Sequence, residues 1–367
     1  MSIYKVPHFG LTRQYANLKE ELLEATDLAM RDGILVGGEF TSKFEEWLRK
    51  RTGCKYASVT HSGTQALEFI AQYASDQDFL NGNDDNPVIK IPNITYPATL
   101  NAFINNGWRV TIEDTDKYGL MLTDEEEDFW GHKFKCFVGL YGAAGKGFNY
   151  DAISNHTIVD GAQHWLAAGD NVGLGMAISF DPTKNLPASG NGGAVVTQDK
   201  GLYDYVNLAK DNGKPEHIYP GTNSKMSELE CAHLLVRTRY IDKWQLSRKT
   251  IRQWYINEFA DLPIRCLSQD FMLHADQKFV IYTEKRDALF AYLLENGIEA
   301  KIHYRKALSE LPIATDHRIL SKPDMMSTSI HLVRGLISLP IYPEMTHNEM
   351  EYIINKVKTF YAQNGYN

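Results

Sequence analysis

The sequence lacks the segments that would send a protein into or across a membrane. Its first 30 residues contain no apolar core of the kind that a secretory signal needs. No run of apolar residues approaches the length of a transmembrane helix. We therefore expect a cytoplasmic protein with no membrane partner.

Blocks of positive charge are also missing. The chain has 38 Lys and Arg residues against 46 Asp and Glu residues, which gives a formal net charge of -8. Binding to the phosphate backbone of nucleic acids depends on clustered Lys and Arg. The composition therefore predicts no nucleic-acid partner.

Cysteine is scarce, and the cysteines lie far apart in the sequence. The four residues are Cys54, Cys136, Cys231 and Cys266. This distribution is typical of reduced thiols in a core, and it does not favour a disulfide framework or a zinc cluster. The 12 histidines also lack the spacing of metal ligands, so we expect no bound metal.

The 367 residues are enough for a large domain and a smaller one. Predicted helices and strands alternate through residues 1–245, which indicates a large α/β domain with a mostly parallel mixed sheet flanked by helices. A long helical stretch from about Met226 connects it to residues 246–367, where strand-like segments, including "IEAKIHY", alternate with helices. That part predicts a smaller C-terminal α+β domain.

Three predicted strands are followed by polar residues. Ser62, Gly63 and Thr64 follow one strand and open a helix, whose first N–H groups can hold a phosphate. Asp160 ends a second strand, and Lys184 lies in the loop after a third. Ligands of open α/β sheets bind at the carboxyl ends of the strands. We therefore expect these residues to meet in one site.

A phosphate seat, a carboxylate and an amine together match the needs of pyridoxal phosphate. The lysine would form a Schiff base, and the carboxylate would keep the pyridine nitrogen protonated. Each piece also has an ordinary explanation. The turn at residues 62–64 could be a helix cap, Asp160 a turn residue and Lys184 a solvated side chain. Their joint occurrence in this order favours the cofactor site.

Six segments of the chain match successive motifs of one enzyme family. They are "GILVGGEFTSKFEEWLRKRTGCKYASVTHSGTQAL", "IPNITYPATLNAFINNG", "TIVDGAQHWLAAG", "SFDPTKNLPASGNGGAVVT", "GTNSKMSELECAHLLVRTRYID" and "GLISLPIYPEMT". In these motifs the chain resembles the DegT/StrS family of sugar aminotransferases, which are pyridoxal-phosphate enzymes of fold type I. The resemblance extends over residues 33–361, and several motifs in one order make it specific.

The resemblance implies roles around the cofactor ring. Lys184 would be the Schiff-base lysine and then the proton shuttle to the substrate carbon. Asp160 would pair with the pyridine nitrogen, and Gln163 would lie near the ring hydroxyl. Tyr96 would lie on the face of the ring, and its alternative is an aromatic residue of the core.

The resemblance also implies a shared phosphate site. Ser62, Gly63, Thr64 and Ser179 would hold the cofactor phosphate. Asn223 would reach that phosphate from the neighbouring subunit. The expected assembly is therefore a homodimer whose active sites are shared between subunits.

Residues for the substrate are marked less clearly. His303 and Tyr304 resemble a "HY" pair near the family's sugar pocket, although a histidine that ends a strand is more often structural. Lys225 lies where a partner subunit would touch the substrate. Position alone suggests three further residues that could contact the substrate or the phosphate, namely His61, His164 and Arg334.

The chain departs from the family pattern at several positions. Val159 stands where the family usually has an acidic residue, and Asn191 stands where it usually has a glutamate. Ser224 and Lys225 replace an aromatic residue and an arginine. None of these changes removes a chemical role, but they weaken any inference about the substrate.

The predicted reaction moves an amino group from glutamate to a keto sugar, with pyridoxamine phosphate as the intermediate form of the cofactor. The sugar would be nucleotide-linked, of the 3- or 4-keto-6-deoxy type, for amino-sugar biosynthesis. A dehydratase of the same fold is the nearest alternative, but that activity goes with histidine at the position of Lys184. A lyase or desulfurase of this fold, and a non-catalytic regulator that binds the cofactor, remain further alternatives.

Overall fold

The computed structural model describes residues 4–80, 86–121, 134–144, 156–170, 172–268, 273–320 and 326–365. The helices in these residues are α1 (Leu11–Arg31), α2 (Glu39–Thr52), α3 (Gly63–Leu80), α4 (Pro97–Ile104), α5 (Trp165–Ala168), α6 (Lys200–Ala209), α7 (Glu228–Thr238), α8 (Ile241–Glu258), α9 (Arg286–Glu295), α10 (Ser327–Val333) and α11 (His347–Gln363). The strands are β1 (Tyr56–Thr60), β2 (Val88–Pro92), β3 (Arg109–Glu113), β4 (Phe134–Val138), β5 (Ala143–Ala144), β6 (Thr157–Asp160), β7 (Gly175–Ser179), β8 (Gly193–Thr197), β9 (Arg265–Cys266), β10 (Leu273–His274), β11 (Phe279–Tyr282) and β12 (Leu336–Leu339).

The first two helices show how the apolar pattern determines local structure. Helix α1 buries Leu18, Leu22 and Ala25, which recur at the spacing of one helix face. Helix α2 ends at Gly53, whose φ of 75° is the left-handed conformation that favours glycine after a helix. Both helices lie where the sequence pattern predicts them.

A seven-stranded sheet forms the centre of the molecule, in the order β1-β8-β7-β6-β4-β2-β3. Strands β7, β6, β4, β2 and β3 are parallel, and β8 is antiparallel to both of its neighbours. Strand β1 therefore runs in the same direction as β6 and β7. The carboxyl ends of these three strands lie along one edge of the sheet.

Helices cover both faces of this sheet. One hydrophobic cluster joins α1, α2 and α7 to one face and includes Phe44, Trp165 and Phe180. A second cluster joins α3, α4 and α6 to the other face and includes Phe69 and Trp108. Every residue of β6, β7 and β8 is buried. Apart from Asp160 at the end of β6, these strands contain only apolar or small residues, with no alternation of exposed polar residues. The predicted α/β class with a mostly parallel sheet is confirmed.

A third hydrophobic cluster lies in the C-terminal part of the chain. It contains residues of α8, α9, α11 and the small sheet β12-β11-β9, and it also includes Val6 from the N-terminus. Helix α8 belongs to two cores, since Trp244 packs in the first cluster and Tyr255 in the third. The division of the chain at residue 245, inside this helix, stays a prediction.

The long helical stretch after Met226 is two helices, α7 and α8. Arg239 and Tyr240 separate them, and both side chains bind Glu21 of α1. The guanidinium of Arg239 donates to Glu21 Oε2 over 3.0 Å. These contacts with another helix turn the chain where the sequence predicts a continuous pattern.

The segment "IEAKIHY" is also different from the prediction, because residues 298–304 form only isolated bridges and no strand. Lys301 pairs with Ser338 of β12, and the chain then leaves the sheet. Contacts with residues near the large sheet hold His303 and Tyr304, since the Tyr141 hydroxyl donates to the His303 carbonyl and the Gln163 amide donates to the Tyr304 hydroxyl.

All four cysteines are buried and unpaired, as the sequence predicts for core thiols. No helix in the described part of the chain is long and apolar enough to cross a membrane. The described residues also contain no group of His, Cys, Asp and Glu side chains arranged to hold a metal ion.

Candidate active site

A cavity of about 400 Å³ opens at the carboxyl ends of β1, β6 and β7. It lies where the large sheet meets the C-terminal part of the chain. The sequence-predicted residues that line it are Ser62, Gly63, Thr64, Tyr96, Asp160, Gln163, Ser179, Lys184, His303 and Tyr304. The fold thus brings together residues that lie as far as 242 positions apart (304 minus 62).

One wall of the cavity is the first turn of α3. The Ser62 hydroxyl accepts a hydrogen bond from the Gln65 N–H over 3.1 Å, so Ser62 caps this helix. A methyl group on Gly63 would lie 2.7 Å from the Cβ atom of Ser179, and one on Gly193 would lie 2.3 Å from the backbone of Ser62. Glycine is therefore needed where α3, β7 and β8 approach. The result is a compact cradle of helix N-terminus and hydroxyl groups, which suits a phosphate.

Asp160 lies at the end of β6 and is 7% exposed. The Thr99 hydroxyl donates to its Oδ2 over 2.8 Å, and the Ala162 N–H donates to its Oδ1 over 3.1 Å. Burial raises the pKa of this carboxyl, and the hydrogen bonds and the charge of Lys184 act in the opposite direction. A cation bound in the cavity beside Asp160 would stabilise its ionised form.

Lys184 lies in the loop between β7 and β8. Its backbone N–H donates to the Asp181 carbonyl over 2.8 Å, and the next residue, Asn185, donates through its side chain to Gln245 and to the Ala275 carbonyl. These bonds fix the loop to α8 and to the C-terminal part of the chain. Burial lowers the pKa of the Lys184 amine, while Asp160 and Asp181 oppose the shift. The uncharged, nucleophilic form of the amine is thereby favoured.

Gln163 connects the two sides of the cavity. Its side-chain oxygen accepts from the Tyr141 N–H over 2.6 Å, and its amide donates to the Tyr304 hydroxyl over 3.3 Å. Tyr141 has a φ of 62°, an unusual conformation for a residue with a side chain, and such residues gather at functional sites. The sequence pattern did not indicate Tyr141.

Tyr96 is 61% exposed, so it is not an aromatic residue of the core. It lines the cavity with Tyr304, and their ring centroids are 6.3 Å apart. Pro97, which follows Tyr96, begins α4, and this places the tyrosine at the helix N-cap.

Several predicted residues lie outside the cavity of this chain. Asn223 is exposed and pairs with Asp211, and the ammonium of Lys225 also binds Asp211. His61 is exposed at the surface, and His164 is fully buried with its ring 5.4 Å from that of Phe137.

Arg334, the third residue suggested by position alone, is likewise not part of the cavity lining. Its guanidinium forms an ion pair with Glu310. The contribution of Asn223 to a partner's site stays a prediction.

Two charged residues of the cavity lining and one residue behind it were missed in the sequence. Lys278 and Asp181 line it, and Thr99 holds Asp160 from behind. Asp181 could have been noticed, because it lies three positions before Lys184 in the same loop. Lys278 gives no such signal, since a lysine before a strand is ordinarily a surface residue.

The fold is that of pyridoxal-phosphate-dependent aminotransferases of fold type I. A crystal structure of DesV from S. venezuelae, in complex with a ketimine intermediate, superposes with a TM-score of 0.86 at 24% identity, covering 97% of this chain and 98% of that one. A site of lysine, buried carboxylate and phosphate cradle is typical of this class, whose cofactor is pyridoxal phosphate.

The model of the DegT/DnrJ/EryC1/StrS aminotransferase family matches residues 16–126 and 166–358, so the chain belongs to this family. Lys184 lies within the second matched stretch, and Asp160 and Gln163 lie between the two. The predicted family and enzyme class are confirmed.

Curated relatives match almost the full length of the chain. The dTDP-3-amino-3,4,6-trideoxy-alpha-D-glucose transaminase of Streptomyces venezuelae is 30% identical, covering 96% of each chain. A pleiotropic regulatory protein of Geobacillus stearothermophilus is 25% identical, covering 97% of this chain and 98% of the relative. The relatives therefore include both a sugar transaminase and a protein named as a regulator.

Proposed function

We propose that the protein transfers an amino group from glutamate to a keto sugar, and that the sugar is carried on a nucleotide. The observation that carries this proposal is the position of Lys184 and Asp160 in one cavity, opposite the first turn of α3. A transaminase of a dTDP-linked amino sugar, at 30% identity over nearly the whole chain, supports the class of acceptor.

The residues of the cavity fit pyridoxal phosphate. Gly63, Thr64 and Ser179 offer N–H and hydroxyl groups to its phosphate, as donors at the end of a helix. Asp160 is a buried carboxylate whose pKa is raised by burial, and a protonated pyridine nitrogen would supply the missing positive charge. Tyr96 and Gln163 would bound the ring. When bound, the cofactor supplies an aldehyde for the amino group and a ring that accepts electrons.

The chain's own residues then have distinct tasks. The Nζ of Lys184, with its pKa lowered by burial, would take the proton from the donor's carbon and deliver it to the cofactor within the first half of the reaction. In the second half it would carry a proton in the opposite direction, to the acceptor carbon. Asp160 would hold the proton on the pyridine nitrogen of the bound cofactor, and Thr99 keeps the carboxylate in place. Residues from the C-terminal part of the chain, such as Tyr304, close the cavity over the site and limit the access of water.

The first experiment is an absorbance spectrum of the purified protein reconstituted with pyridoxal phosphate. We expect a visible band, its loss on addition of glutamate, and its return with a nucleotide-linked keto sugar. Lys184→Ala should abolish both changes, whereas Lys200→Ala, which removes an exposed lysine, should not. A visible band that ignores glutamate would contradict the proposed donor.

A regulatory role is the second candidate, and the name of the relative from Geobacillus stearothermophilus is the observation in its favour. The two functions differ in their need for the lysine. If cells with Lys184→Ala keep the phenotype of the wild-type protein, the regulatory role is favoured over the enzymatic one.

We also propose that two chains form the complete site. The segment between α1 and α2 exposes Ile34, Leu35 and Val36, and Val36 bridges to Ser227, four positions after Asn223. Such a contiguous apolar surface suits a subunit interface. Asn223 is exposed, and we propose that it reaches the partner's phosphate cradle.

Mixing inactive variants tests the shared site. Lys184→Ala and Asn223→Ala impair different residues, so a mixed dimer would contain one intact site made from the two chains. We expect partial recovery of activity after the variants are unfolded and refolded together, and none when they are mixed without exchange of subunits. Continued inactivity of a verified mixed dimer would refute the sharing.

A further inference from the structure

Lys278 is a buried lysine in the wall of the cavity. It immediately precedes β11, is 6% exposed, and lines the same cavity as Lys184. Its backbone N–H donates to the Tyr141 carbonyl over 3.1 Å, which connects it to the large domain. The side chain therefore projects from a well-anchored position towards the proposed reaction site.

Among the described residues, no carboxylate forms an ion pair with the Lys278 ammonium. The Nζ of Lys278 lies over the ring of Phe9, 5.9 Å from the ring centroid. Burial lowers the pKa of Lys278 well below the ordinary value, and the positive charges of Lys184, Arg248 and Lys301 lower it further, while Asp181 opposes them. An isolated cation is costly in such surroundings, so a bound anion would stabilise it.

We infer that Lys278 binds the α-carboxylate of the amino donor while the donor's amino group lies at Lys184. This inference rests on the proposed function. An α-carboxylate is bonded directly to the carbon that carries the amino group, so the two lysines would contact adjacent parts of one small molecule. The carboxylate would be held by a charge-assisted hydrogen bond in a buried place, where such bonds are strong.

The size and burial of the site favour a donor carboxylate over the phosphate of a nucleotide. The cavity of about 400 Å³ must hold the cofactor and the reacting part of the substrate. In a nucleotide sugar, the sugar ring separates the diphosphate from the reacting carbonyl carbon. The diphosphate would therefore lie farther out than a lysine that shares the innermost cavity with Lys184.

A pair of donors tests the inference in the wild-type holoenzyme. L-isoglutamine has an uncharged α-carboxamide in place of the α-carboxylate of L-glutamate and is otherwise the same. We expect the concentration for the half-maximal rate of visible-band loss to be about 10-fold to 100-fold higher for L-isoglutamine, the effect of one hydrogen bond to a charged group. Equal concentrations for the two donors would overturn the inference without any variant.

Lys278→Met then assigns the effect to this residue. The variant should need about 10-fold to 100-fold more L-glutamate, while its limiting rate stays within severalfold and its preference over L-isoglutamine disappears. Lys278→Arg, which retains the charge, should restore part of the affinity. Lys301→Met is the matched control, since it removes a neighbouring positive charge that is 37% exposed and 3.5 Å from Glu299. It should leave the donor preference unchanged.

The second half of the reaction separates the remaining outcomes. If Lys278→Met raises only the keto-sugar concentration needed to restore the visible band, the lysine serves the acceptor and the inference is wrong. A normal response to both substrates would also overturn it. If the wild-type protein forms no visible band, or its band ignores glutamate, the proposed function itself fails. The wild-type spectrum therefore distinguishes failure of the function from failure of the inference.

Discussion

Glu228 provides a test of how the fold supports the proposed subunit surface at residues 34–36. This side chain is 2% exposed and lies in the first turn of α7, yet its carboxylate caps helix α2. It accepts hydrogen bonds from the backbone N–H groups of Gly38 (2.9 Å), Phe40 (2.8 Å) and Thr41 (3.0 Å), and from the Thr41 hydroxyl. Helix α2 has no side-chain cap of its own.

The magnitude of the effect follows from these bonds. Glu228→Gln keeps the shape of the side chain but removes the charge and replaces one acceptor oxygen by a donor amide. Hydrogen bonds to a charged acceptor contribute about 1 kcal/mol more than bonds to a neutral one, and three backbone donors are involved. We therefore expect the free energy of unfolding to fall by about 2 to 4 kcal/mol.

Equilibrium unfolding in urea, followed by circular dichroism and tryptophan fluorescence, measures this loss. The protein should be measured at two concentrations, because dissociation of a dimer would make the transition depend on concentration. If the proposed dimer forms through the exposed segment at residues 34–36, the variant should also dimerise less strongly, since Gly38 adjoins that segment.

Glu230→Gln is the matched control. Glu230 lies in the same first turn of α7, so both changes remove the same interaction with the helix dipole. Its carboxylate accepts one backbone bond, from the Ser189 N–H over 2.8 Å, at a more exposed position. We expect a loss of about 1 kcal/mol or less. If the two variants lose the same stability, the capping argument for Glu228 is wrong.

Two further predictions concern the cavity. Gly63→Ala would place a methyl group 2.7 Å from the Cβ atom of Ser179, so α3 and β7 must separate. Pyridoxal phosphate should then bind about 10-fold or more weakly in a titration of the visible band, whereas Gly190→Ala, whose methyl meets only a flexible glutamate, should bind it normally. Burial lowers the pKa of His303 to about 2, and nearby positive charges contribute. Its ring therefore stays neutral between about pH 5 and 8, and His303→Asn should keep the shape of the pH profile for the glutamate half-reaction. Loss of one limb of that profile would show that the histidine titrates there.

Local sequence determined much of the fold. Apolar residues at helical spacing predict α1 and α2, and the strand-loop-helix unit around Gly63 lies where its turn residues indicate. Lys184 and Asp160 could be proposed because each follows or ends a buried strand, and parallel strands bring such ends together. These patterns depend on neighbours within one or two elements, which a sequence displays directly.

Other features needed contacts between distant parts of the chain. The sequence pattern predicts one continuous helical stretch, but the structure has a break between α7 and α8. The chain turns there because Glu21 of another helix holds the two residues of the turn. The sequence pattern also predicted a strand at residues 298–304, where contacts with Tyr141 and Gln163 draw the chain out of the sheet. In both places a tertiary contact overrides the local preference.

The sequence by itself determined the class of protein, the order of most of its helices and strands, and the lysine and carboxylate at the centre of the site. Only the tertiary structure decided that Lys278 lies in the same cavity as Lys184, a residue that precedes it by 94 positions (278 minus 184). Only the tertiary structure decided that Glu228 caps helix α2, where it binds Thr41, 187 positions earlier in the chain (228 minus 41). A lysine or glutamate has the same local preferences in a core and on a surface. Its burial, its partners and its charge state depend on which distant elements pack against it, and no local pattern records them.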